Sequence, residues 1–108
     1  MVWKQLNDAE EWKHILSQSF ERPQVVFKHS TRCSISSLAK TRLEKTFSYT
    51  HPFYLLDLLQ YRPISNQIAE DLKVTHESPQ VLVIKDGACI YYESHTAIDY
   101  DEIIAAMN

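Results

Sequence analysis

Hydrophobic positions along the chain change period several times, and each change marks an element. Ala9, Trp12, Ile15, Leu16 and Phe20 recur at intervals of three and four. That spacing predicts an amphipathic helix ending before Pro23, with Asn7 or Asp8 as its N-cap and Glu10 and Glu11 at its positive end. Val2 to Gln5 reads as a short strand ahead of it. Val25-Val26-Phe27 is apolar on both faces, as expected of a central strand covered above and below. Ser34, Ile35, Leu38, Ala39, Leu43 and Phe47 then restore the helical interval, with Lys40, Arg42 and Lys45 off the stripe.

After His51-Pro52, the run Phe53 to Leu58 reads as a second buried strand, although its leucines leave a helix open. Arg62-Pro63-Ile64-Ser65-Asn66 is a helix start in which proline is tolerated and Ser65 can cap; Ile64, Ile68, Ala69 and Leu72 form the face behind it. A polar connection closed by Pro79 leads into the strand Gln80 to Lys85. Asp86-Gly87, which holds the chain's single glycine, is a strong signal for a type I′ hairpin turn into Ala88 to Glu93. Beyond the polar Ser94-His95-Thr96, Asp99 or Asp101 caps a last helix containing Ile103, Ile104 and Met107.

The order is (β)αβαβαββα. Helical crossovers imply parallel strands and the Asp-Gly turn an antiparallel pair, so the expectation is an α/β protein with a mixed sheet of four to five strands in a three-layer α/β/α sandwich. This is the element order of the thioredoxin fold. With 108 residues, no repeat and no linker, the chain is expected to be a single domain over 1–108.

Composition narrows the partners. A net charge of -3 with acids and bases interspersed offers no footprint for nucleic acid. No apolar run reaches the roughly 18 residues of a membrane helix, and the opening stretch lacks the pattern of a signal peptide. A cytoplasmic setting, where thiols stay reduced, is the expectation. The five histidines show no HxH or HExxH spacing, and two cysteines are too few for a cysteine metal site, so no metal is expected.

The chemistry gathers at Lys28-His29-Ser30-Thr31-Arg32-Cys33-Ser34-Ile35-Ser36, where strand passes into helix. A cysteine at a helix start faces unpaired N–H groups and the positive end of the dipole, which favour thiolate; Arg32 and His29 add positive charge. The same environment makes Cys33 a good leaving group. Packing as a small hydrophobe is the other reading of Cys33, and the one assigned to Cys89 inside its strand.

Thr31-Arg32-Cys33-Ser34-Ile35-Ser36 resembles the Thr-Cys-Pro-Ile-Ser signature of the monothiol bacilliredoxins, the YtxJ-like proteins of the bacillithiol system within the thioredoxin superfamily. Arg62-Pro63-Ile64-Ser65-Asn66 is similar to that family's third-helix start and His76-Glu77-Ser78-Pro79-Gln80 to its proline loop, so the resemblance spans nearly the whole chain. It implies catalysis by Cys33, support from Thr31, Arg32, Ser34, Ser36, Ser78 and Pro79, and substrate contacts at His29, Arg62 and Gln80. It also implies that Pro79 is cis beside Cys33, whereas the residues alone leave a trans proline starting a strand equally open. Three departures, from the family signature or from dithiol thioredoxins, matter. Ser34 replaces the signature proline, and Ser36 occupies the place of the second cysteine of a dithiol redoxin. Phe27, six positions before Cys33, also stands where thioredoxins carry a buried aspartate.

The expected function is removal of a small thiol, bacillithiol by resemblance, from protein mixed disulfides, without a bound cofactor. The expected partners are S-thiolated proteins and the small thiol itself, and the expected state is a monomer or weak dimer. A stress-related thioredoxin-fold adaptor without turnover, or a sensor whose Cys33 is capped on oxidation, is the alternative.

Overall fold

The computed structural model describes residues 3–46 and 52–108. Val2, Phe47 and His51, each used in the sequence reading, lie outside them. Five strands form one sheet in the order β1-β3-β2-β4-β5. These are β1 (Trp3–Gln5), β2 (Gln24–His29), β3 (Phe53–Asp57), β4 (Gln80–Lys85) and β5 (Ala88–Ser94). β1 and β2 flank β3 in parallel; β4 is antiparallel to β2 and β5 to β4. Four helices cover it: α1 (Ala9–Gln18), α2 (Ser34–Thr46), α3 (Arg62–Leu72) and α4 (Tyr100–Met107).

Alternation along each strand divides the core in two. Val25, Phe27, Phe53, Leu55, Val81 and Val83 pack with Ala39, Leu43, Ile103 and Met107 on the α2/α4 face. Val26, Tyr54, Leu56, Leu82 and Ile84 pack with Trp12, Ile15, Ile68 and Leu72 on the α1/α3 face. β2 lies in the middle and is buried along its whole length, including the polar Lys28 and His29 that follow its apolar run. Successive strand residues point to opposite faces, so Lys28 enters the α1/α3 layer and His29 the α2/α4 layer.

The helix ends follow ordinary capping chemistry. Asp8 accepts from Glu11 N at 2.7 Å to start α1, and Asp99 accepts from Glu102 N at 3.3 Å to start α4. Ser65 does not cap α3. That helix already begins at Arg62, its cap residue Tyr61 gives no side-chain bond, and Ser65 is a fully buried residue of the helix body. Two predicted stripes also need correction. Phe20 lies beyond the end of α1 and is 65% exposed. In α2, Ile35 and Leu38 are exposed while Ser36, Ala39 and Leu43 are buried, so the helix is rotated to put a serine, not an isoleucine, against the strand end.

The β4–β5 turn has φ 53° at Asp86 and 77° at Gly87, the two positive values of a type I′ turn. Ser19, buried after α1, holds it: Asp86 N donates to Ser19 O and Gly87 N to Ser19 Oγ, both at 2.9 Å. A Cβ on Gly87 would also meet the Phe20 ring at 3.0 Å. Gly87→Ala is therefore expected to lower stability by about 1 to 2 kcal/mol in urea unfolding, part of it recovered when Phe20 is also replaced by alanine.

Candidate active site

Cys33 occupies the N-cap position of α2. Its carbonyl accepts from Ser37 N at 3.0 Å, the first intrahelical bond, and its own N–H donates to Ser30 O at 3.2 Å to close the turn leaving β2. The N–H groups of Ser34, Ile35 and Ser36 have no acceptor within the helix, as at every helix start. The thiol is free and half-buried, and Thr31, Arg32 and Ser34 around it are exposed.

Ser36 faces the strand end rather than solvent. Its fully buried hydroxyl accepts from Ser30 N at 3.0 Å and lies 2.6 Å from His29 Nδ1. Burial, and next the Lys40 charge, lower the His29 pKa, so the ring is neutral near pH 7. Asp57 and Glu44 act the other way. The His29 ring stacks on Phe27 at 5.8 Å between centroids. The sequence reading used His29 as positive charge beside Cys33; the ring is instead a buried member of a Ser30–Ser36–His29 latch that ties the strand end to the helix.

On the other face of β2, Lys28 is fully buried. Its Nζ donates to Ser65 O at 3.1 Å and lies 3.3 Å from His76 Nδ1, which is also 3.1 Å from Ser65 Oγ. Burial, and next Arg62, push the Lys28 pKa down to about 8. His76 is lowered by burial, then by Lys28 and Arg62, against the opposing charge of Glu77. Sequence reasoning used Lys28, Ser65 and His76 only as landmarks in three separate motifs. The signal available was a lysine continuing a strand apolar on both faces.

The Ser78-Pro79 bond is cis, and the Lys28–Gln80 register brings it to the end of β2 from which the cysteine turn departs. Pro79 O accepts from His95 N at 2.9 Å, and His95 takes a left-handed φ of 59° to reach it. Gln80 is fully buried, neither solvated nor open to a substrate in this arrangement: its Nε2 donates to Thr75 O at 3.1 Å. Gln80 Oε1 and Ser78 Oγ are buried without partners. Arg62 is exposed at the start of α3, just past the end of β3 and thus at the same end of the sheet.

Cys89 lies at the opposite end. It pairs with Ile84, which pairs with Gln24 at the start of β2. Four strand residues separate that position from the Lys28–Gln80 level, roughly 13 Å, about twice the Cα separation a disulfide allows. Its Sγ donates to Tyr91 O at 3.3 Å, and burial raises its pKa. A cleft of about 400 Å³ bordered by Lys4, His14, Arg22, Gln24 and Tyr54 sits at that same far end, away from Cys33. Among the described residues no three His, Cys, Asp or Glu side chains gather as a metal would need, and no helix is long and apolar enough to cross a membrane.

A helix-capping cysteine at the end of a central strand, flanked by a cis-proline loop on a sheet of this order, belongs to the thiol redox proteins of the thioredoxin fold. The solved structures agree. One, described as a candidate oxidoreductase with a thioredoxin fold, shares 26% identity at a TM-score of 0.88, covering 99% of this chain and 95% of that one. Thioredoxin of Malassezia sympodialis (16% identity, TM-score 0.74, covering 99% and 88%) and of Fasciola hepatica (18%, 0.70, 96% and 95%) share the fold. The family model for monothiol bacilliredoxin BrxC matches residues 4–103, and the chain belongs to that family.

Two outcomes are expected from these buried polar groups. Ser36→Ala leaves the Ser30 N–H and His29 Nδ1 unpaired and should cost about 1 to 3 kcal/mol in thermal or urea unfolding. Lys28 binds its proton less tightly folded than unfolded, so between about pH 8 and its ordinary 10.5 the unfolded state holds more protons and stability rises with pH. The difference in unfolding free energy between wild type and Lys28→Met should shift toward wild type by roughly 3 kcal/mol from pH 7 to 10.5. A flat difference in urea titrations would contradict the burial of a protonated Lys28.

Proposed function

We propose that the chain is a one-thiol exchange protein that removes a low-molecular-weight thiol, bacillithiol, from modified protein cysteines. The Cys33 thiolate attacks the small thiol's sulfur in the mixed disulfide. A new S–S bond joins Cys33 to the small thiol, the old bond breaks, and the protein cysteine leaves as a thiolate that takes a proton from water. A second small thiol, as thiolate, then attacks the adduct on Cys33, freeing Cys33 and forming the small-thiol disulfide. In sum the small thiol is oxidised and the protein mixed disulfide reduced.

The observation that carries this reading is the absence of a second sulfur within reach of Cys33 among the described residues. Ser36, in the resolving place, has its hydroxyl committed to Ser30 and His29, and Cys89 is at the other end of the sheet. The intermediate must therefore wait for an outside thiol. The free N–H groups at the start of α2 are positioned to stabilise charge on sulfur as it exchanges. The polar edge at Ser78-Pro79 supports holding the incoming disulfide, and Thr31, Arg32 and Ser34 form the rim. A serine after Cys33 where the signature has proline leaves the helix start its N–H. A cytoplasmic role in recovery from oxidative stress, acting as a monomer or weak dimer, fits this chemistry.

The test is a protein carrying a single bacillithiolated cysteine, incubated with reduced chain and followed by intact mass. The adduct should pass to Cys33, be lost from the test protein, and persist on Cys33 until free thiol is added. Cys33→Ser should abolish transfer and Cys89→Ser should leave it. A Cys33–Cys89 disulfide in the oxidised chain would overturn the one-thiol reading, and an adduct that stays on the test protein would favour a sensor or adaptor.

A further inference from the structure

At the end of the sheet opposite Cys33, where the parallel strands β1, β3 and β2 begin, lies the cleft of about 400 Å³. That volume falls in the range of small-molecule pockets. The exchange chemistry makes no use of it.

Two polar residues on its wall are almost enclosed by the core. Tyr54 is 5% exposed and Gln24 9%. Both lie on the α1/α3 face of the sheet, because Tyr54 pairs with Val26 and Gln24 stands two residues before Val26 on the same strand. Gln24 Nε2 donates to Arg22 O at 3.1 Å, and no hydrogen bond among the described residues reaches its Oε1. The Tyr54 hydroxyl likewise has no hydrogen-bond partner among the described residues, although it borders the cleft. Burial, and next the Glu11 charge, raise the Tyr54 pKa, so the phenol keeps its proton and remains a donor. Enclosed phenols and amides ordinarily find partners inside the protein. Here a donor and an acceptor, held on two adjacent strands, border a cleft with that capacity unspent.

Positive charge converges on the same place from separate segments. Lys4 is the register partner of Tyr54 on β1 and shares its face, while Arg22 comes from the turn into β2. Lys4 is exposed and enters no ion pair among the described residues. The acid on the cleft lining is Glu21, one carboxylate against two fixed cations. A cation beside an enclosed donor suits an anionic oxygen, since hydrogen bonds to a charged acceptor are the stronger kind.

We propose that this cleft is a second binding site, separate from the thiol, for a small hydroxylated molecule that carries an oxyanion, a phosphate or a carboxylate. The Lys4 ammonium and the Tyr54 hydroxyl hold the oxyanion, and Arg22 adds charge. Gln24 Oε1 accepts from a hydroxyl on the body of the ligand. The cleft and the cysteine turn lie at opposite ends of β2, so occupancy does not require the thiol.

The experiment titrates the full chain, isotope-labelled, with glucose-6-phosphate, glucuronate or glucose at pH 7 and low salt, and follows backbone amide shifts by NMR. The three probes share a hydroxylated ring and differ in bearing a phosphate, a carboxylate or no anion. At least one anionic probe should saturate with a Kd below about 10 mM and move the amides of Lys4, Gln24 and Tyr54 more than those of the cysteine turn. Glucose should bind about fivefold more weakly or not at all. The tighter of the two anions identifies the group the cleft takes. Lys4→Glu, at an exposed position, should abolish saturation. Tyr54→Phe, which keeps the ring in the core, should weaken binding about fivefold. Cys33→Ser should bind as wild type does.

No saturation by either anion, or glucose binding as tightly as both, would overturn the proposal. So would an affinity unchanged in Lys4→Glu or Tyr54→Phe. Shifts centred on the cysteine turn, or binding lost in Cys33→Ser, would move the ligand to the thiol and overturn it as well.

Discussion

The end of β2 is buried on both faces, and the rest of the site depends on how its polar residues are satisfied there. A central strand normally ends by leaving the core; this one carries a lysine and a histidine into it. Each must find its partners inside the protein, because burying an unpaired polar group costs more than a typical hydrogen bond contributes. Lys28 therefore reaches α3 and the proline loop, and His29 reaches α2 through Ser36. These two sets of bonds, one per face, connect the strand to the elements that border Cys33.

The latch on the α2 side also bears on the proposed one-thiol cycle. Placing serine one helical turn after Cys33 does more than remove a sulfur. The hydroxyl is turned inward, away from the solvent-exposed rim, and joins Ser30 and His29 in a bonded group. In the exchange cycle proposed above, nothing at this position can close the cycle, and the thiol that completes it comes from solution.

Much of the fold was readable because local signals agreed with one another. The Asp86-Gly87 turn, the caps at Asp8 and Asp99 and the apolar runs of β2, β3 and β4 each depend on residues close in sequence, and the element order follows from them. The misreadings share a different cause. The α2 stripe was drawn through Ile35 and Leu38 because they are apolar, yet the helix buries Ser36, since a serine there satisfies two polar groups at the strand end. Ser65 looked like a cap because of its type and its place near Pro63, but its oxygens are bound to Lys28 and His76 across the core. Phe20 kept the helical interval after the helix had ended.

By itself the sequence determined the order of elements, the mixed sheet, the position of Cys33 at a strand-to-helix junction and the lack of a neighbouring resolving cysteine. Periodicity, turn chemistry and residue identity are local properties, and they survive without knowledge of what packs on what. Only the tertiary structure decided that Lys28, Ser65 and His76 meet, that Ser36 is latched to His29, and that Cys89 is stranded at the far end of the sheet. Those facts depend on contacts between residues distant in the chain, and a hydrogen bond across a core is specified by how strands and helices register, which no single stretch encodes.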